Sequence, residues 1–155
     1  PIKSSAASDV YKRQIMWCAT MGLNTITGLS KQQDWEVHMI EHQLGAYTDC
    51  PHGEGLAVIS PAYYRYICKY GIDKFVRFAK NIWDVPADDI DKETAALAGI
   101  DALACYIEKL GLPSTLREVG ATEDMLEKIA VSCVKGGGYK QMDENDVLNV
   151  LKACY

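Results

Sequence analysis

No basic cluster in this chain could track a phosphate backbone. Sixteen Lys and Arg stand against 21 Asp and Glu, for a formal net charge of −5, so nucleic acid is not an expected partner. No apolar run reaches membrane-spanning length, because the longest candidates are broken by charge or glycine, and no membrane partner is expected either. No C-x-x-C occurs among the six cysteines at 18, 50, 68, 105, 133 and 154. Most of them lie inside apolar helical patterns and read as buried, reduced thiols of a cytosolic protein rather than as a disulfide frame. G-x-S-x-G is missing, as is any glycine-rich strand-to-helix turn. Gly136-Gly137-Gly138 follows no strand and precedes no G-K-[ST], so it reads as a flexible loop and not a phosphate cradle. Strand alternation is almost absent throughout.

What is present is helical period. Ile15 to Leu29 is apolar and reads as a buried helix ending at glycine. Asp34 is a plausible N-cap for a helix that fades at Gly45 to Tyr47. Gly53 to Tyr70 forms another, with Pro61 near its middle, where the missing backbone donor should kink or divide it. Asp73 to Trp83 is short and amphipathic, and Pro86 with Asp88-Asp89 marks a loop. Asp91 to Leu110 carries the clearest stripe, Ala96, Ile100, Leu103, Ile107 and Leu110, stopped by Gly111. Thr115 with Glu118 resembles a capping box opening one turn closed by Gly120. Thr122 to Val134 is helical, and Asp143 caps a last helix through Cys154. The class is all-α, with about seven or eight helices, and 155 residues suffice for one domain with a real core. Residues 1–14 differ in texture, being polar, Ser/Ala-rich and without periodicity. SSAASDVYKRQ looks like the translated remnant of a sequencing adaptor, so the natural domain is expected to begin at Ile15. No signal-peptide pattern is present.

Histidine, too, is absent from most of the chain. All three, His38, His42 and His52, fall within fifteen consecutive residues. On a helix His38 and His42 project from one face, about 40° apart around the axis. His52 follows the turn-like Thr48-Asp49-Cys50-Pro51 and precedes Gly53. Imidazoles a helical turn apart, with a third just past the helix end, bring several neutral nitrogen donors to one point, which suits divalent iron or zinc. Cys50 is a possible soft ligand, although a small apolar filler fits it better. A second pattern uses the same residues. His38 to His42 also reads H-x-x-E-H, the inverted zinc-peptidase motif, with Glu41 as general base and a further acidic ligand drawn from Glu93, Glu108 or Glu118. A third reading is a non-catalytic helical interaction module with structural histidines.

The block WEVHMIEHQLGAYTDCPHGEGLAVISP resembles the signature region of the iron-containing alcohol dehydrogenases: a helix with H-x-x-x-H, a second P-H-G ten residues on, and a small-apolar helix reaching proline. Here His42 to His52 is that step and Pro61 that proline. IMWCATMGLNTITG resembles the helix before the signature, while LGLPSTLREVGATEDMLEKIA and MDENDVLNVLKACY resemble the C-terminal helices. Within the family the likeness is to the butanol dehydrogenase branch.

The resemblance implies a dehydroquinate-synthase-like two-domain enzyme that interconverts primary alcohols and aldehydes. An N-terminal α/β domain would bind NAD(H) or NADP(H), and this chain would be the multi-helix C-terminal metal-binding domain, at 15–155. The family holds Fe²⁺ or Zn²⁺ with one aspartate and three histidines, two of those four lying upstream of this chain. Carried over by motif position, His38 and His52 are metal ligands. His42 matches the histidine that faces nicotinamide and substrate without ligating, a catalytic and cofactor-binding position. Glu41 would then be a surface carboxylate or one behind the ligands. With two ligands, the fragment is expected to bind metal weakly and to turn over nothing alone. Family members often oligomerise, so a homo-oligomer is expected of the full-length enzyme.

Overall fold

The computed structural model describes residues 2–155, with side chains from residue 9 onward. Seven α-helices and two short 3-10 turns account for the regular structure, and no strand occurs among the described residues. The all-α class therefore holds, at the expected number of helices. The chain divides into two compact units between Gln33 and Asp34.

The first unit contains helix α1, Ile2–Leu23, and a 3-10 turn at Ile26–Gly28. Helix α1 runs through position 14 without a break, so the change of composition there has no counterpart in the backbone. The apolar stretch after Ile15 finds no cover within this chain: Ile15 is 68%, Met16 70% and Trp17 66% exposed, because the unit holds no second long element. The helix does not run on to Gly28. It ends at Leu23, where Asn24 Oδ1 accepts the Ile26 N–H at 3.2 Å and Thr25 takes a left-handed φ of 70°.

The second unit holds the other six helices: α2, Glu36–Thr48; α3, His52–Ile67; α4, Ile72–Trp83; α5, Lys92–Lys109; α6, Glu123–Ser132; and α7, Glu144–Ala153. Helix α3 is central and packs against α2, α5 and α7. Its buried residues Val58, Ile59, Tyr63 and Ile67 join Ile40 and Leu44 of α2, Ile100 of α5, and Val147, Val150 and Leu151 of α7 in one core. Pro61 does not divide α3, which remains one helix from His52 to Ile67. A buried face on both sides of the proline holds the two halves in register, and the neighbouring Ser60 hydroxyl donates to the Leu56 carbonyl at 2.6 Å.

Side-chain caps set several boundaries, those at Thr115 with Glu118 and at Asp143 as expected. Asp91 accepts the Thr94 N–H at 2.9 Å at the start of α5. Thr115 and Glu118 exchange hydrogen bonds across their single turn, which Gly120 closes at φ 86°. Asp143 and Asp146 form a reciprocal capping box before α7. The stripe on α5 is narrower than the pattern predicts. Ala96, Ile100 and Ile107 are buried, but Leu110, past the helix end, is 57% exposed. The cysteines divide as well: Cys68, Cys133 and Cys154 are buried, whereas Cys18 and Cys105 are exposed, and all six are free thiols. Cys18 lies on uncovered α1, and Cys105 sits off the buried stripe of α5.

The triple-glycine segment is a loop, tied at its first residue. The Gly136 N–H donates to Glu36 Oε2 at 2.7 Å, and the Gly136 carbonyl accepts the Met142 N–H at 2.7 Å. It thus satisfies a carboxylate buried at the start of α2. No helix among the described residues is long and apolar enough to cross a membrane.

Candidate metal centre

Helix α2 has two faces. Val37, Ile40, Glu41 and Leu44 are buried against the core, while His38 and His42 lie one turn apart on the other side, half-buried and exposed respectively. The start of the helix is anchored by Asp34. One of its oxygens accepts the Glu36 N–H at 3.0 Å, and the other accepts the Tyr63 hydroxyl of α3 at 2.7 Å. The end is closed by a tight turn. Thr48 Oγ1 donates to the Leu44 carbonyl at 2.9 Å, and Asp49, at φ 55°, donates its N–H to the Gly45 carbonyl at 2.8 Å. Pro51 then opens α3, and His52 is the first residue of that helix.

This turn folds His52 back over α2. The His38 and His52 ring centroids are 5.3 Å apart, those of His42 and His52 5.7 Å, and those of His38 and His42 6.2 Å. One donor nitrogen from each ring lies within 4.8 Å of the others. The His38 pKa is lowered, first by burial and then by the neighbouring imidazoles, so its ring is neutral and its lone pair available near neutral pH. The Trp35 ring flanks His38 at 5.2 Å.

His52 Nδ1 is hydrogen-bonded to Glu41 Oε2, and Glu41 is only 3% exposed. With one ring nitrogen engaged by a buried carboxylate, the other remains for an ion, the usual arrangement around a ligating histidine. Three imidazoles converging on one point, one neutral by burial and one tied from behind, fit a borderline divalent cation such as Fe²⁺ or Zn²⁺.

The structure thus brings together the three histidines singled out by their spacing. Among the described residues no carboxylate and no cysteine joins them. Glu93, Glu108 and Glu118 stand elsewhere, and Glu118 accepts backbone N–H groups of Ser114 and Thr115. Cys50 packs against the core. Glu41, the base of the peptidase reading, is buried and its carboxylate is engaged by His52 Nδ1. It is not a surface carboxylate. Its role as partner of His52 is what the histidine pattern alone misses, although a carboxylate on the i, i+3, i+4, i+7 apolar stripe of a helix must have a partner.

Fold and site together define an all-helical domain in which three imidazoles from two consecutive helices converge. The chain belongs to the Fe-containing alcohol dehydrogenase family: the model of that family's C-terminal part matches residues 3–155. It is similar to NADH-dependent butanol dehydrogenase A of Clostridium acetobutylicum, with 34% identity over 156 residues covering 96% of this chain and 40% of that protein. It is also similar to the NADPH-dependent aldehyde reductase YqhD of Escherichia coli, with 28% identity covering 93% of this chain and 37% of that protein. The crystal structure of NADH-dependent butanol dehydrogenase A from Thermotoga maritima superposes with a TM-score of 0.82 at 30% identity, covering 89% of this chain and 37% of that one. The chain therefore spans about 40% of the length of the curated relatives it matches.

Proposed function

We propose that this chain is the metal-binding part of an oxidoreductase that interconverts primary alcohols and aldehydes with NAD(H) or NADP(H), and that residues 1–14 lie outside the functional domain. His38 and His52 would hold Fe²⁺ or Zn²⁺, with the remaining ligands and most of the cofactor site supplied by sequence upstream. The carrying observation is the convergence of the three imidazoles from α2 and α3, with His52 tied by Nδ1 to buried Glu41. What would come from outside the chain is Lewis acidity from the ion and hydride chemistry from the nicotinamide.

The chain's own residues have separate tasks. His38 is kept neutral by burial and offers a lone pair. His52 offers the nitrogen that Glu41 leaves free. All three rings offer a nitrogen to the cluster; by its position in the family motif, His42 is the group that orients substrate and nicotinamide ribose, or relays a proton, rather than a ligand. The names of the relatives support an alcohol or aldehyde as substrate and either form of the cofactor. The chain alone is expected to bind metal weakly and to be inactive, since catalytic sites normally have at least three protein ligands.

The test joins this chain to the upstream part of one of those relatives and measures metal content beside aldehyde reduction. His38→Ala and His52→Ala should each lose the metal and the activity together. His42→Ala should keep the metal and lose rate, by about 10²–10⁴ if its part is proton transfer. Loss of metal in the His42 variant would make it a ligand and overturn the division of roles.

A further inference from the structure

We propose that Glu41 is a positioning residue that fixes His52 as the Nδ1–H tautomer and so turns its Nε2 lone pair toward the histidine cluster; this deepens the metal-centre reading and rests on it. Glu41 sits on the buried stripe of α2 at 3% exposure. A carboxylate in such a place needs a donor, and the one it meets is His52 Nδ1 on the facing helix. A carboxylate accepts, so the ring nitrogen donates. In a neutral imidazole that leaves the lone pair on Nε2.

The slot for this contact is made by Gly55. A Cβ there would stand 2.8 Å from Glu41 Cγ and 3.0 Å from Oε1. Gly55 is buried and lies on the first turn of α3, one residue beyond Glu54 and three beyond His52. Only a residue without a side chain there lets the carboxylate pass under α3 and reach the ring from behind. The same helix therefore carries both the oriented imidazole and the space its orienting group requires.

The experiment uses the 155-residue chain, ¹⁵N-labelled and metal-free, with long-range ¹H–¹⁵N correlation spectra of its three imidazoles at a pH where they are neutral, followed by Zn²⁺ titration. Wild type should show His52 as the Nδ1–H tautomer. Glu41→Met keeps the volume but removes the acceptor. It should lose that tautomer preference and weaken Zn²⁺ binding by about 10–100-fold, with helicity by circular dichroism unchanged. Glu41→Gln, whose amide oxygen still accepts, should restore the tautomer and most of the affinity, which a role in packing alone would not require. Gly55→Ala, which displaces the carboxylate, should act like Glu41→Met and carries the same test if that variant does not fold. Should Zn²⁺ shift none of the three rings in wild type, the metal-centre reading fails, while the tautomer comparison still decides what Glu41 does. A Glu41→Met chain that keeps the Nδ1–H tautomer of His52 would overturn the proposal, and so would a wild-type His52 found as the Nε2–H tautomer.

Discussion

Lys140, the Tyr66 hydroxyl and the Asp143 N–H all donate to one carboxylate, that of Asp146 in the first turn of α7. Burial by itself would push this carboxyl up, but the three donors and the Lys140 charge outweigh it, and its pKa lies below the ordinary value. Its contribution to stability is therefore full above the unfolded-state pKa, about 3.9, and is lost as pH falls through the lower folded-state value. Glu36 has the opposite sign: burial raises its pKa in spite of the Gly136 hydrogen bond, so the cost of its ionised form is relieved as pH falls. Asp146→Asn should lower the unfolding temperature at pH 7 and narrow its gap to wild type below about pH 4. A gap that stays constant from pH 7 to pH 3 would remove the carboxylate from this account. At this scale the three histidines were legible because their type is rare here and their spacing is helical. Glu41 was read from the motif as a base, or as a carboxylate at the surface or behind the ligands, when its place on the apolar stripe was the stronger signal, and no pattern in sequence shows that the opposing surface is Gly55.

Helices α4 and α5 meet where Gly99 faces Ala79. A Cβ at Gly99 would lie 2.5 Å from the Ala79 Cβ and 2.7 Å from its Cα, so α4 could accept one only by moving its backbone. Gly99→Ala should accordingly destabilise the second unit by about 1–3 kcal/mol, the usual cost of overpacking, although alanine is the better helix former. A denaturation midpoint that moves by less than about 0.5 kcal/mol, the scale of an inert surface change, would mean that the two helices part easily. Most element boundaries in the second unit were legible because capping residues mark them: Asp91, Asp143, and Gly111 at φ 72°. Pro61 does not divide its helix, because the packing of α3 on α2, α5 and α7 outweighs one missing donor. The helix after Ile15 reads as one that needs cover, and the chain by itself leaves it exposed. Apolar composition says that a segment should be covered, but not that its cover lies within reach.

For the molecule as a whole, the uncovered α1 is the main departure from a self-contained domain. Leu23 at 60%, Ile26 at 55% and Leu29 at 68% exposure extend the apolar surface of Ile15, Met16 and Trp17. Exposed apolar area on that scale drives association, so the chain should self-associate with rising concentration in sedimentation velocity, and replacing Met16 and Trp17 by Glu should reduce it. A chain that stays monomeric at high concentration and binds no hydrophobic dye would leave that surface without consequence. The all-α class was legible from period alone, and the family from one block of residues. The division between Gln33 and Asp34 was not, since a unit boundary depends on which elements find partners.

The donors come from one short stretch. His38, His42 and His52 fall within fifteen residues, joined by the turn at Asp49, so bringing the imidazoles together closes a small loop and costs little chain entropy. The unfolded chain retains much of that proximity and would itself hold a transition-metal ion through the same rings. Stabilisation by a bound ion depends on the difference between its affinities for the folded and unfolded chains. Any ion taken up by this cluster would therefore raise the melting temperature by less than its affinity for the folded chain suggests, and melting shifts would underrate how tightly it is held.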